Sequence, residues 1–205
     1  MKHFRSVFVV LVLTLSFVVV VSGCSEKESA PVPAEEADAG SSRYTYSGPP
    51  KSLYLQLVDG LHVTGEQVDV DIENYRLQVT GDVESPLNLS FQEIKDLDSV
   101  TKYIELNCPG FFTDRGDWTG VPVRTVLQQA QPLATVSEVE FISIDGGYVK
   151  IIPIDEVMED RFLLAYEFEG KEFPPVHGYP LRLAAEGEEG NVWVKWLGEI
   201  RLHSK

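Results

Sequence analysis

The chain has 205 residues, 43% hydrophobic and 10% aromatic, enough to bury one sizeable core with extensions at its ends. Its formal net charge of -15 argues against nucleic acid or an anionic membrane surface as a partner, since either would be repelled by the field of the whole protein.

Residues 1–23 read as a signal peptide. Lys2 and Arg5 supply a positive start, and Val7 to Val21 form an apolar run interrupted only by Thr14 and Ser16. That run is short for a membrane span. It ends in Val21-Ser22-Gly23-Cys24, which resembles a bacterial lipobox, so Cys24 is expected to become the lipidated, palmitate-bearing first residue of a protein anchored to the membrane outside the cytoplasm. An uncleaved anchor would place the domain on the same side. Residues 24–50 are rich in Glu, Ala, Ser, Pro and Gly, with almost no large apolar side chain before Tyr44, and read as a flexible acidic tether. Residues 51–205 form the folded domain.

Within that domain, alternation predicts strands over Leu53–Val58 and Tyr75–Thr80. Ser90-Phe-Gln-Glu93 is a capping box that starts a short helix at Phe91. Val100 to Cys108 predicts a strand with Ile104, Leu106 and Cys108 on one face, and Pro109-Gly110 is expected to break its ladder. A helix then runs from about Pro122 to Gln129, with Val123, Val126 and Leu127 on its buried stripe. Val139–Ile144 and Tyr148–Ile152 are strands joined by the turn Asp145-Gly146-Gly147. Phe162–Phe168 is another strand, turning at Glu169-Gly170 into Glu172-Phe173. The last predicted strand is Val192–Leu202, in which Trp193, Lys195 and Leu197 would share a face. Many strands and few short helical patterns make the domain α+β with mixed sheets rather than doubly wound.

Against the acidic background, Phe173 to Leu197 brings together three basic side chains, His177, Arg182 and Lys195. Pro174, Pro175, Gly178 and Pro180 stiffen or specialise the backbone around His177 and Arg182. A fixed guanidinium beside an imidazole suits an oxyanion or a phosphate. Arg182 and Lys195 could equally be ion-paired with Glu186, Glu188 or Glu189, and His177 could be an ordinary loop histidine. If Cys24 is lipidated, Cys108 is left as an odd free thiol; on its own it reads as a soft metal ligand or as an inert buried cysteine.

The spacing His177-Gly-Tyr-Pro180-Leu-Arg182, followed by Val194-Lys195-Trp196-Leu197, resembles the HGxPxR…VKWL signature of the sulfite oxidase-type molybdopterin-binding domain. The resemblance extends to Trp118-Thr-Gly120-Val-Pro122, to Phe141-Ile-Ser-Ile-Asp145-Gly146 and to Leu163-Leu164-Ala165-Tyr166-Glu167, and covers roughly Tyr75 to Leu202. It implies an oxidoreductase in which Cys108 binds molybdenum while Asp145, His177, Arg182 and Lys195 seat the pterin and its phosphate. It further implies a small-molecule substrate, an oxyanion or a sulfoxide, and an electron-transfer partner at or outside the membrane. Asp145 is also the first residue of an ordinary Asp-Gly turn.

Two features depart from the family. The segment PGFFTDRGD after Cys108 replaces the Gly-Asn-Arg continuation of the larger sulfite-oxidising members, leaving Arg115 as the only Arg near the Cys. The start Met1-Lys-His-Phe-Arg-Ser has no adjacent arginines, whereas exported members commonly use a twin-arginine route that carries folded, cofactor-loaded protein. The competing class is therefore a cofactor-free surface lipoprotein module that keeps the fold and binds a ligand or protein partner.

Overall fold

The computed structural model describes residues 56–204. The expected signal peptide, the tether, Cys24 and the first part of the strand expected over Leu53–Val58 lie outside the described residues. Their end of that strand is present as β1, Leu57–Val58, which pairs with β2, Leu61–His62, in a small hairpin.

One mixed sheet has the order β4-β3-β12-β7-β8, made of β3 Leu77–Gly81, β4 Leu87–Leu89, β7 Val136–Ser143, β8 Val149–Pro153 and β12 Leu197–Ser204. In it β12 runs parallel to β3 and antiparallel to β7. The second sheet has the order β10-β9-β6-β5, from β5 Val100–Cys108, β6 Phe112–Pro122, β9 Phe162–Phe168 and β10 Lys171–Glu172, with β11 Arg182–Ala185 also pairing with β9. All but one residue of β9 are buried. Such a run needs cover on both faces, which explains its continuous Phe-Leu-Leu-Ala-Tyr sequence. Between and beside the sheets lie α1 Phe91–Lys95, α2 Val123–Ala130 and α3 Ile154–Val157. The α+β reading with mixed sheets and short helices holds.

Local chemistry explains most of these boundaries. Ser90 Oγ accepts from the Glu93 amide while Glu93 reaches back to the Ser90 amide, so α1 begins where the capping box requires. Helix α2 buries Val123, Val126, Leu127 and Ala130 as its stripe predicts, with Pro122 just ahead of the first turn. Glu169 and Gly170, both at positive φ, form the two-residue turn that pairs Phe168 with Lys171.

Pro109-Gly110 ends β5 at Cys108 as expected, but as a hairpin turn: Phe111 N donates to Cys108 O at 3.0 Å, and the stretch ahead of Pro122, where no strand is expected, returns antiparallel as β6 with Phe112 opposite Cys108 and Asp114 opposite Leu106. One expectation is corrected. The strand expected from Val192 begins only at Leu197. Residues 190–192 form a single 3-10 turn, and Trp196 sits at φ 51°, which destroys the predicted alternation around Lys195.

Tyr75 ties the two ends of the domain together: its buried hydroxyl donates to Leu197 O at 2.6 Å. Tyr75→Phe should lower stability by about 1–3 kcal/mol, since it strips a partner from a buried carbonyl. Urea denaturation checks this, and an unchanged midpoint with an unchanged slope would contradict the assignment.

Candidate functional site

Cys108 ends β5 beside the turn into β6. Its thiol is half-buried and free of any disulfide. The loop carrying Gly190 crosses directly over it, so closely that a Cβ on Gly190 would collide with Sγ. Asn107 forms a parallel bridge with Glu189, which holds that loop in place. Burial raises the thiol above its ordinary range and Asp114 adds to this, while the Arg182 and Lys195 cations pull the other way. A ligand that replaces the proton would therefore leave a thiolate facing two cations.

His177 closes a short 3-10 turn, Pro175–His177, started by Pro174 and stopped by Gly178 at φ 102°. No side chain fits at Gly178 without pressing on Lys195, so this glycine lets the turn and the Lys195 segment meet. The contact is fixed by hydrogen bonds: Trp196 Nε1 donates to Pro175 O at 2.7 Å, and Lys195 Nζ donates to Val176 O at 3.0 Å and Thr64 O at 2.7 Å. His177 is wholly buried, with Nε2 2.7 Å from Val58 O. The β1–β2 hairpin thus lies against both basic groups.

Arg182 opens β11 opposite Ala165 and is 3% exposed. Its guanidinium lies 5.1 Å from the Trp118 ring, 5.6 Å from Trp193 and 5.7 Å from Phe173, an aromatic box that offsets part of the charge. Nη1 donates to His177 O at 3.1 Å. The acidic neighbours in sequence are engaged elsewhere: Glu186 pairs with Lys102, Glu188 with Arg161, and Glu189 accepts from Asn191. Neither Arg182 nor Lys195 has a carboxylate bonded to it among the described residues.

The electrostatic consequence is large. Burial pushes His177 down to about 4, Lys195 down to about 7 and Arg182 down to about 10, and the like charges of Arg182 and Lys195 add to the first two. His177 Nδ1 and Arg182 Nε are fully buried without a hydrogen-bond partner. The unpartnered Arg182 Nε–H and the buried cations are costly in this condition, and an anion would relieve both. The donor set fits a phosphorylated cofactor.

The structure thus brings Cys108, His177, Arg182 and Lys195 into one electrostatically coupled group. Asp145 stands at its border. Its Oδ1 accepts from Ser143 Oγ at 2.6 Å and from Gly147 N at 3.0 Å, and these bonds hold its carboxyl below the usual range, the Ser143 bond foremost. The same turn touches the Lys195 segment, with Ile144 N donating to Trp196 O at 2.7 Å. Its chemistry in isolation is that of a turn.

Sequence reasoning passed over two residues at this site, His62 and Asp114. Asp114 is 4% exposed and accepts from His62 through both oxygens. The available signal was the period-two run Phe112-x-Asp114-x-Gly116-x-Trp118, whose inward positions alternate with exposed ones as a half-buried strand requires. Among the described residues no group of three or more His, Cys, Asp or Glu side chains could hold a metal, so a metal at Cys108 needs ligands from a cofactor.

The Lys195 environment makes a pH prediction. Between about 7 and 10.5 Lys195 holds fewer protons folded than unfolded, so without an anion at the site its contribution to stability rises with pH across that window. Lys195→Met should gain on wild type as pH falls from the upper end to the lower, read from urea midpoints. A difference independent of pH would contradict the burial of this ammonium.

Residues 63–205 match the family described as the oxidoreductase molybdopterin binding domain. The chain is 29% identical over 160 residues to the nitrate reductase [NADPH] of Aspergillus niger, which covers 65% of this chain and 18% of that protein. It is 26% identical over 211 residues to the protein-methionine-sulfoxide reductase catalytic subunit MsrP of Xanthomonas campestris pv. campestris, covering 90% of this chain and 66% of the relative. The chain therefore spans less than two thirds of the length of these relatives. The crystal structure of the sulfane dehydrogenase SoxCD from Paracoccus pantotrophus superposes with a TM-score of 0.65 at 25% identity, over 71% of this chain and 41% of that one. The match over residues 63–205, together with the sheet arrangement, establishes that this chain belongs to the oxidoreductase molybdopterin binding domain family.

Proposed function

We propose that the domain is an oxidoreductase that binds molybdenum-molybdopterin and performs two-electron oxygen-atom chemistry on a small oxyanion or sulfoxide, tethered outside the cytoplasm through lipidated Cys24. The observation that carries the cofactor reading is the buried, carboxylate-free group of His177, Arg182 and Lys195 beside a free thiol. Arg182 and Lys195 would bind the phosphate through charge-assisted hydrogen bonds; His177, whose Nε2–H is given to Val58 O, would donate from Nδ1 as well only in the protonated form that an anion at the site favours. Cys108 would supply the thiolate ligand, a soft donor suited to molybdenum. The cofactor supplies the two-electron oxygen-atom chemistry when bound. Asp145, on the turn beside the Lys195 segment, would contact the pterin through its remaining oxygen. The Gly190 loop crosses over the thiol and leaves it half-buried. The sulfoxide class is supported by similarity to MsrP and the oxyanion class by similarity to the nitrate reductases.

One observation favours the cofactor-free module instead. Backbone carbonyls of Val58, Thr64 and Val176 already accept from His177 and Lys195, so the hairpin side of the site is closed by the chain itself. The two readings separate on one preparation, protein made without residues 1–23 in a cytoplasm that produces molybdopterin. Wild type should contain molybdenum and pterin, and the Arg182→Ala and Lys195→Ala pair should lose most of its pterin, each contact contributing about 1.5–3 kcal/mol. Wild type without metal or pterin would leave the binding module; full pterin content in the double variant would remove the assigned phosphate site.

A further inference from the structure

The proposed function leaves one half-buried pair beside Cys108 without a task. Strand register sets Cys108 opposite Phe112 and Leu106 opposite Asp114, so the four side chains leave the same face of the β5–β6 hairpin. Diagonal neighbours on such a face lie about 7–8 Å apart, which puts the Asp114 carboxylate one residue step from the thiol. Its charge is felt by Cys108, His177 and Arg182 alike. Yet neither Arg182 nor Lys195 bonds to it. Both of its oxygens go to His62: Oδ2 accepts from the His62 amide at 2.8 Å, and Oδ1 lies 2.5 Å from Nδ1.

His62 ends β2 and stacks its ring on Phe112, the residue opposite Cys108, with centroids 4.4 Å apart and planes at 15°. Its side chain is 21% exposed while that of Asp114 is 3% exposed. Nε2 has no partner among the described residues. The pair therefore runs from a buried carboxylate next to the thiol to a partly exposed imidazole. A clip for the hairpin would not need a carboxylate, because burying one is expensive and a neutral amide would accept the same amide hydrogen. A carboxylate on Nδ1 does something an amide does not: it fixes the Nδ1–H tautomer and stabilises the imidazolium that forms when Nε2 takes a proton.

We propose that His62, oriented by Asp114, is the proton carrier of the Cys108 site. The proposal rests on the reading of Cys108 as the reaction centre. Removal of oxygen from a sulfoxide or an oxyanion breaks one bond to oxygen, takes two electrons from a redox protein and two protons, and releases water. His62 Nε2–H gives one of those protons to the departing oxygen; Asp114, bonded to Nδ1 and to the His62 amide, acts as a positioning residue. The second proton and the reprotonation of His62 come from water at the exposed ring edge.

The test uses protein made without residues 1–23 in a molybdopterin-producing cytoplasm, with dimethyl sulfoxide or nitrate as substrate and a reduced viologen dye as electron donor. His62→Gln should keep its molybdenum content and KM and lose kcat by about 100-fold or more, with partial recovery on adding imidazole. Nitrogen-15 NMR of wild type should show His62 as the Nδ1–H tautomer with a strongly downfield proton, and Asp114→Asn, close in shape, should lose that downfield position and part of kcat. A His62→Gln enzyme with full metal content and wild-type kcat would overturn the proposal while leaving the cofactor reading intact. So would an Nε2–H tautomer in wild type, whether or not either variant folds. Wild type without molybdenum would remove the cofactor reading and this proposal together.

Discussion

Positive charge buried without a bonded carboxylate is the condition on which the rest of the site depends. Arg182 is almost wholly enclosed, Lys195 has its ammonium under two backbone carbonyls, and His177 is sealed from solvent, all within a chain of net charge -15. Acidic residues are plentiful nearby, and the fold spends them on Lys102 and Arg161 instead. Aromatic faces of Trp118, Trp193 and Phe173 lower the cost of enclosing the guanidinium but give it no counter-ion. Stability is being exchanged here for affinity toward an anion, as is common where a polar ligand completes a site.

The backbone serves the same end. The cis peptide bond between Tyr179 and Pro180 lies in the short link from His177 to Arg182, between the 3-10 turn and β11. Gly178 lets that turn press against Lys195, and Gly190 lets the opposing loop press against Cys108. Both are places where a side chain would force the partners apart. The hairpin β1–β2 then closes the group from a third side through Val58, His62 and Thr64. Elements distant in sequence thus meet at one thiol.

The sequence was most legible where local chemistry decides the structure. The capping box at Ser90, the apolar stripe of α2 and the turn at Asp145-Gly146-Gly147 are each written within a few residues, and each stands as expected. The grouping of His177, Arg182 and Lys195 was legible from their spacing and family resemblance. It was less legible where pairing across the sheet decides. Pro109-Gly110 is both a strand breaker and a hairpin turn, and only the return of Phe112 opposite Cys108 distinguishes the two. Trp196 sits at positive φ with its indole bonded to Pro175, a tertiary contact that no alternation pattern contains. His62 and Asp114 are 52 positions apart, so their pairing was invisible before the hairpin was seen against β6.

The central claim is that Cys108 supplies a sulfur ligand to molybdenum in a pocket of buried cations. Molybdenum K-edge X-ray absorption on the cofactor-loaded domain tests it most directly, comparing wild type with Cys108→Ser. The account predicts one sulfur scatterer fewer around molybdenum in the variant, with pterin retained through Arg182 and Lys195. An identical sulfur shell in the two proteins would show that Cys108 is a packing residue and that the metal is held without it.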